Sequence, residues 1–108
     1  MLLLIYLFAG HAICDYPLQG DFLAKGKNAF APLPGVPWYQ CLLAHSAIHA
    51  GMVALITQRW ELGFAEFLIH WFTDYAKCEG KLTFNQDQVI HYGCKLLWAV
   101  IVILGVRF

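Results

Sequence analysis

Apolar residues along the chain fall into four long runs that are separated by short polar or proline-containing segments. The runs cover about residues 2–18, 38–57, 60–76 and 85–106. A helix of about 20 residues is about 30 Å long, which matches the hydrocarbon core of a bilayer. The pattern therefore predicts an all-α fold, a four-helix transmembrane bundle, in one domain that covers residues 1–108.

The connections between these runs differ in length. Gln58 and Arg59 alone join the second run to the third, and residues 79–84 join the third to the fourth. The first connection is a long loop, "GDFLAKGKNAFAPLPGVPW", whose prolines exclude a helix near its end. Residues 21–28 are expected to form a short helix at the membrane surface, and Pro17 is expected to kink or end the first helix.

Composition favours a protein embedded in lipid. Hydrophobic residues make up 60% and charged residues 13% of the chain, whereas globular domains carry about 25% charged residues. The alternative is a soluble bundle with unusually apolar helices. The formal net charge of +0 argues against a nucleic-acid partner, which would select a basic surface.

The four cysteines form no C-x-x-C pair, so the sequence does not support a zinc ribbon or a redox motif, and we expect small thiols packed between helices. The first apolar run lacks a positively charged start and a cleavage signal, so we interpret it as a retained membrane helix rather than a signal peptide.

Lysines lie mainly on one side of the predicted bundle. The first and third connections share that side, which carries Lys25, Lys27, Lys77 and Lys81. The opposite side carries Arg59 and Arg107. Because basic residues are more frequent in cytoplasmic loops, we expect a multi-pass protein of the bacterial inner membrane with both termini outside.

Polar residues inside the apolar runs follow a step of four. Each of the five histidines has an aspartate or another histidine four positions away. The pairs are His11–Asp15, His45–His49, His70–Asp74 and Asp87–His91. Residues four apart share one face of a helix, and alternating helix directions place all four pairs at the lysine-bearing end. We therefore expect one polar cluster inside the bundle, and an almost purely apolar far half of each helix.

Imidazole and carboxylate together suit zinc, manganese or iron, and zinc is the first expectation. The eight candidate ligands are His11, Asp15, His45, His49, His70, Asp74, Asp87 and His91. Two ligands at positions i and i+4 can hold one ion, as they do in H-E-x-x-H sites. Eight candidates are enough for two ions, or for one ion with surrounding carboxylates that orient the imidazoles.

The leading functional hypothesis is a metal-dependent hydrolase that acts on a phosphate-bearing, lipid-like substrate, with Asp15, Asp74 and Asp87 as candidate catalytic residues. Gln19, Lys77 and Gln88 are the candidate substrate contacts or groups around the ligands. The lysines on that side would attract an anionic lipid-like substrate. No enzyme activity follows from the residues alone, and membrane lipids or further copies of the chain are the other expected partners.

Three alternatives remain open at this stage. Histidine and aspartate can relay protons or metal ions in a membrane, which would make the protein a conduit. The cluster can instead be a structural clip in a non-catalytic phage membrane protein that acts on a host partner, of lysis or exclusion type. Facing histidines can also ligate haem.

Four segments carry a resemblance to a known family. They are "HAICDYPLQGDFLAKGKN", "HSAIH", "HWFTDYAK" and "DQVIH", in this order. The chain resembles a family of small bacterial and phage integral membrane proteins, domain of unknown function 3307, over nearly its whole length. The segments "PGVPWYQ" and "DYAKCEG" resemble phage-encoded relatives. The resemblance implies a four-span helical membrane protein and supplies no activity; a similarity to membrane-bound metal-dependent hydrolases is analogy only.

Overall fold

The computed structural model describes residues 1–108 and contains five helices and no strands. The helices are α1 (Leu2–Asp15), α2 (Gly20–Gly26), α3 (Trp38–Thr57), α4 (Trp60–Cys78) and α5 (Phe84–Ile103). The prediction of an all-α fold is confirmed. The bounds of α3 agree with the predicted run, and the short helix expected in the first connection is present as α2.

The four long helices form a bundle. Helix α3 packs against α1 and α4, and α5 packs against the same two helices from the other side, so the ring closes. The short α2 lies against α3. Helices α3 and α4 are in close contact at Gly63, where a Cβ atom would lie 2.8 Å from the carbonyl oxygen of Ala50 and from Cβ of Ala54. The absence of a side chain at Gly63 therefore permits this close contact.

The first helix ends earlier than the apolar run suggests. It stops at Asp15, and α2 follows at an angle of 80°. Pro17 explains this end because it has no backbone N–H to donate to the carbonyl of Ile13, which accepts from Leu18 instead. Gln19 consequently lies outside α1, and its side chain cannot continue the polar face of that helix.

Local signals set the ends of the later helices. Gln58, in the left-handed region with φ of 56°, ends α3, so that the chain reverses into α4 within two residues. Helix α5 begins with a capping box, in which Thr83 Oγ1 accepts from the backbone N–H of Gln86 and the Gln86 side chain accepts from the N–H of Thr83. Such a cap satisfies two amides that have no partner within the helix.

Judged by length and apolar composition, α3 can cross a bilayer as a single helix, and α1 with α2 would add a second crossing if the bent pair formed one span. The predicted set of four spans is therefore not confirmed on this measure. Helix α1 has 14 residues, α4 includes charged residues such as Glu66, and the first turns of α5 are strongly polar.

Burial in the bundle is inverted relative to a water-soluble protein. Of the 25 buried residues, most are polar or charged, and Leu7, Val53 and Leu62 belong to a small apolar core. Large apolar side chains cover the outside, among them Phe72 with 67% and Leu97 with 49% exposed. A soluble fold normally places such side chains inside and leaves ionisable ones in water.

Candidate metal centre

The structure brings all eight predicted ligands into one connected polar cluster inside the bundle. The cluster receives side chains from α1, α3, α4 and α5, and its members are His11, Asp15, His45, His49, His70, Asp74, Asp87 and His91. All five histidines are buried. The four cysteines are all free, and Cys14 and Cys41 are buried between helices.

One group of four side chains has the arrangement of a metal site. Asp15, His45, His49 and His70 each present a ligand atom, and these atoms lie within 4.8 Å of one another. Asp15 Oδ1 is 2.9 Å from His49 Nε2 and 3.4 Å from His45 Nε2. His45 Nε2 is 3.1 Å from His70 Nε2. Ligands at about 2.0–2.1 Å from a tetrahedral ion are separated by about 3.3–3.4 Å, so these spacings agree with ligands of one ion.

A buried carboxylate orients the fourth ligand. Glu66 Oε1 accepts from His70 Nδ1 at 3.4 Å. With the proton on Nδ1, the neutral ring directs the lone pair of Nε2 towards His45 and Asp15. Metal-binding histidines commonly donate the other ring N–H to a carboxylate in this way, which selects the tautomer and holds the ring.

A second group lies beside the first. His91 Nε2 is 3.3 Å from Asp74 Oδ1 and 3.2 Å from Asp87 Oδ1, and these three side chains also have ligand atoms within 4.8 Å of one another. Asp74 Oδ2 lies 3.2 Å from His45 Nε2, so Asp74 connects the two groups.

His11 contributes differently from the other predicted ligands. Its Nε2 lies 3.2 Å from Gln88 Oε1 and 3.3 Å from Asp15 Oδ2, and it belongs to none of the groups that can hold an ion. Gln88 also donates to Asp15 Oδ2 at 2.8 Å. His11 and Gln88 therefore surround Asp15 and hold its carboxylate in place.

Lysines from two elements reach the cluster. Lys27 is 3% exposed, and its Nζ donates to Asp74 Oδ2 and to Gln19 Oε1. The sequence predicts that Lys27 lies at the exposed end of the bundle with the other lysines. The bend after α1 instead brings α2 against the bundle, and Lys27, which follows α2, becomes buried. Lys77 Nζ donates to Asp87 Oδ2 at 3.2 Å, and its side chain remains 24% exposed.

Glu66 and Lys95 are missing from the sequence-based list. Lys95 Nζ donates to Glu66 Oε1 at 2.5 Å, and Trp98 Nε1 donates to Glu66 Oε2 at 2.7 Å. The expectation that the far half of each helix is almost purely apolar was therefore wrong at the positions of Glu66 and Lys95. The step of four continues from His70 back to Glu66 and from His91 on to Lys95, which is the signal that would have identified both residues.

The polar interior has a closed inner end. Below Glu66 and Lys95, the ring of Trp98 packs with Leu7 and Leu62 in the apolar core, each at most 4% exposed. No polar side chain of the cluster passes this layer. The polar cluster therefore ends at this apolar layer.

Three of the imidazoles make polar contacts through only one of their two ring nitrogens. The Nδ1 atoms of His11, His45 and His91 are buried without a hydrogen-bond partner, while their Nε2 atoms face the carboxylates. A buried polar group without a partner costs about 1–3 kcal/mol. The contacts of these three imidazoles within the cluster therefore run through their Nε2 atoms.

Comparison with known proteins provides one relationship. No curated protein and no solved structure matches the chain. The model of a family described as "Protein of unknown function (DUF3307)" matches residues 3–106. The polar positions described above all lie within the matched residues, and the chain belongs to the DUF3307 family.

Proposed function

We propose that this chain is an integral membrane protein that holds a divalent metal ion inside its helical bundle. The observation that carries the proposal is the convergence of Asp15, His45, His49 and His70, whose ligand atoms lie within 4.8 Å of one another. Three neutral imidazoles and one carboxylate form a donor set typical of zinc, and manganese or iron also accept it.

The inverted burial supports the location in a membrane. Charged side chains lower the hydropathy of α4 and α5, yet Glu66, Asp74, Asp87 and Lys95 are at most 1% exposed. The surface that these helices present to their surroundings is therefore more apolar than their sequences suggest. Ionisable residues in membrane helices normally face the interior of the bundle. We accordingly retain four crossings, with the lysine-bearing end on the cytoplasmic side.

The centre is suited to hydrolysis of a phosphate-bearing, lipid-like substrate. A divalent ion bound there would supply a Lewis acid for this reaction. Asp15, whose side chain is 10% exposed, is the most exposed of the four ligands. His91 Nε2 lies between Asp74 and Asp87 and can hold the proton that a general acid–base step requires.

A conduit for protons or metal ions receives less support. The ion pair of Glu66 and Lys95 extends the polar interior by one helical turn, but the apolar layer at Leu7 and Leu62 closes it. A path for ions or protons across the membrane would need polar groups or water through this apolar layer. The structural-clip alternative predicts that the protein binds no metal.

Elemental analysis of the detergent-purified protein tests the proposal. We expect about one equivalent of zinc, manganese or iron, and loss of the metal in His45→Ala/His49→Ala with retained helical circular dichroism. His11→Ala is the comparison variant, because His11 lies outside the ligand groups but contacts the ligand Asp15; it should still bind the metal, with lower affinity. A folded wild-type protein that binds no metal after reconstitution would contradict the proposal.

Two further measurements test location and reaction. We expect the protein to remain in the membrane fraction after an alkaline carbonate wash, and release into the supernatant would refute the proposed spans. The metal-loaded protein should release phosphate or a phosphorylated headgroup from phospholipid vesicles, and His45→Ala/His49→Ala should not. A metal-loaded protein that is inactive on every phospholipid class would eliminate this substrate class.

A further inference from the structure

Formal charges limit what the centre can hold. The deep pair of Glu66 and Lys95 is neutral as a unit. Around the ligands, the carboxylates of Asp15, Asp74 and Asp87 contribute three negative charges, and two lysines, Lys27 and Lys77, contribute two positive charges. Among these groups the carboxylates therefore exceed the lysines by one.

Net charge inside an apolar bundle is strongly unfavourable. One divalent ion adds two positive charges, which is more than the excess of one carboxylate, and two ions would add four. An anion that binds beside a single ion offsets this positive excess.

The exposed edge of the cluster has the groups to receive that anion. Asp15 and Lys77 keep 10% and 24% of their side chains exposed, and Gln88 is half-buried beside them. The Lys77 ammonium and the Gln88 amide can each donate to an anionic oxygen. Lys77 now donates to Asp87 and Gln88 to Asp15, carboxylates whose charge a bound ion would partly neutralise.

We propose that the edge formed by Asp15, Lys77 and Gln88 is a subsite for a phosphate group, which binds next to the metal ion. This inference rests on the proposed metal centre and names the part of the substrate that the centre holds. A phosphodiester carries one negative charge, and its oxygens match both the ammonium and the amide donors. Such a group can come from a lipid headgroup or from free phosphate.

Paramagnetic relaxation measures the required proximity. The detergent-solubilised protein is loaded with cobalt(II), which accepts nitrogen and oxygen ligands as zinc does, and elemental analysis verifies the loading. The ³¹P relaxation of inorganic phosphate and of dihexanoyl phosphatidylglycerol is then measured in separate samples. We expect enhanced relaxation that saturates with one anion per ion; enhancement with the lipid alone or with inorganic phosphate alone identifies the source.

Lys77 provides the decisive variant. Lys77→Gln should weaken anion binding by about 10- to 100-fold, as expected for loss of a hydrogen bond to a charged group, with cobalt content unchanged. Lys77→Arg should retain the enhancement. Lys81→Gln is the matched control because Lys81 lies at the same end but pairs with Glu79 and is 69% exposed in its side chain.

The outcomes separate the two proposals. Bound cobalt without enhancement for either anion would overturn the subsite and leave the metal centre intact. Equal enhancement in Lys77→Gln and wild type, or equal losses in Lys77→Gln and Lys81→Gln, would also overturn the assignment of Lys77. A folded protein that binds no cobalt, zinc, manganese or iron would overturn both proposals together.

Discussion

Replacement of Glu66 by glutamine should weaken metal binding although Glu66 is not a ligand of the proposed four-ligand site. Glu66 is fully buried and accepts from three donors, His70 Nδ1, Lys95 Nζ and Trp98 Nε1. Glutamine has only one acceptor oxygen for these three donors, and its NH₂ group would point at a donor rather than an acceptor. His70 would lose its orienting partner, and loss of such a carboxylate lowers metal affinity by about 10- to 100-fold.

The same substitution should also lower stability. It leaves Lys95, which is 1% exposed, without a counter-ion inside the bundle. Removal of one partner of a buried ion pair costs about 3–5 kcal/mol. Thermal unfolding in detergent measures this loss, and titration with a competing chelator measures the metal affinity.

A double variant separates the two effects. Glu66→Gln/Lys95→Met removes the unpaired charge while it keeps most of the side-chain volume, so it should regain much of the lost stability. It should not regain metal affinity, because His70 still lacks its carboxylate partner. Metal affinity that is unchanged in the folded single variant, or that recovers together with stability in the double variant, would refute the positioning role of Glu66.

Three further predictions concern packing, capping and linkage. Gly63→Ala should destabilise the protein by about 1–3 kcal/mol through overpacking, because the new Cβ meets the backbone of α3; Gly51→Ala, in open space on α3, should not lower the melting temperature. Thr83→Ala should cost about 1 kcal/mol by removal of the capping box, measured by thermal unfolding and contradicted by an unchanged melting temperature. Metal at a free concentration of 100 Kd should stabilise the protein by about 2.7 kcal/mol relative to the metal-free protein. Thermal unfolding with and without a chelator measures this difference, which should be absent in His45→Ala/His49→Ala.

Much of the fold follows from local pattern. The run at residues 38–57 is predominantly apolar and ends before Gln58, and the observed α3 has the same bounds. The step of four between histidines and aspartates predicts a shared face, and alternating helix directions predict convergence. These arguments need only helix geometry and chain order, so the cluster could be predicted from sequence.

Other features depend on contacts that no local pattern contains. Lys27 becomes buried because the chain bends by 80° after α1 and brings α2 onto the bundle. The step of four places Glu66 and Lys95 on the polar faces of α4 and α5, but their pairing with each other depends on how these helices are rotated about their axes. The separation of His11 from the other ligands likewise depends on the rotation of α1, which places His11 against Gln88 of α5.

X-ray absorption at the zinc edge of the purified, zinc-loaded protein tests the metal centre most directly. The proposed ligands predict three imidazole nitrogens, from His45, His49 and His70, and carboxylate oxygen from Asp15, at about 2.0–2.1 Å. His45→Ala/His49→Ala should lose this signature together with the metal. Sulfur scattering at about 2.3 Å, or oxygen scattering without imidazole, would show that zinc binds elsewhere and would contradict the proposed centre.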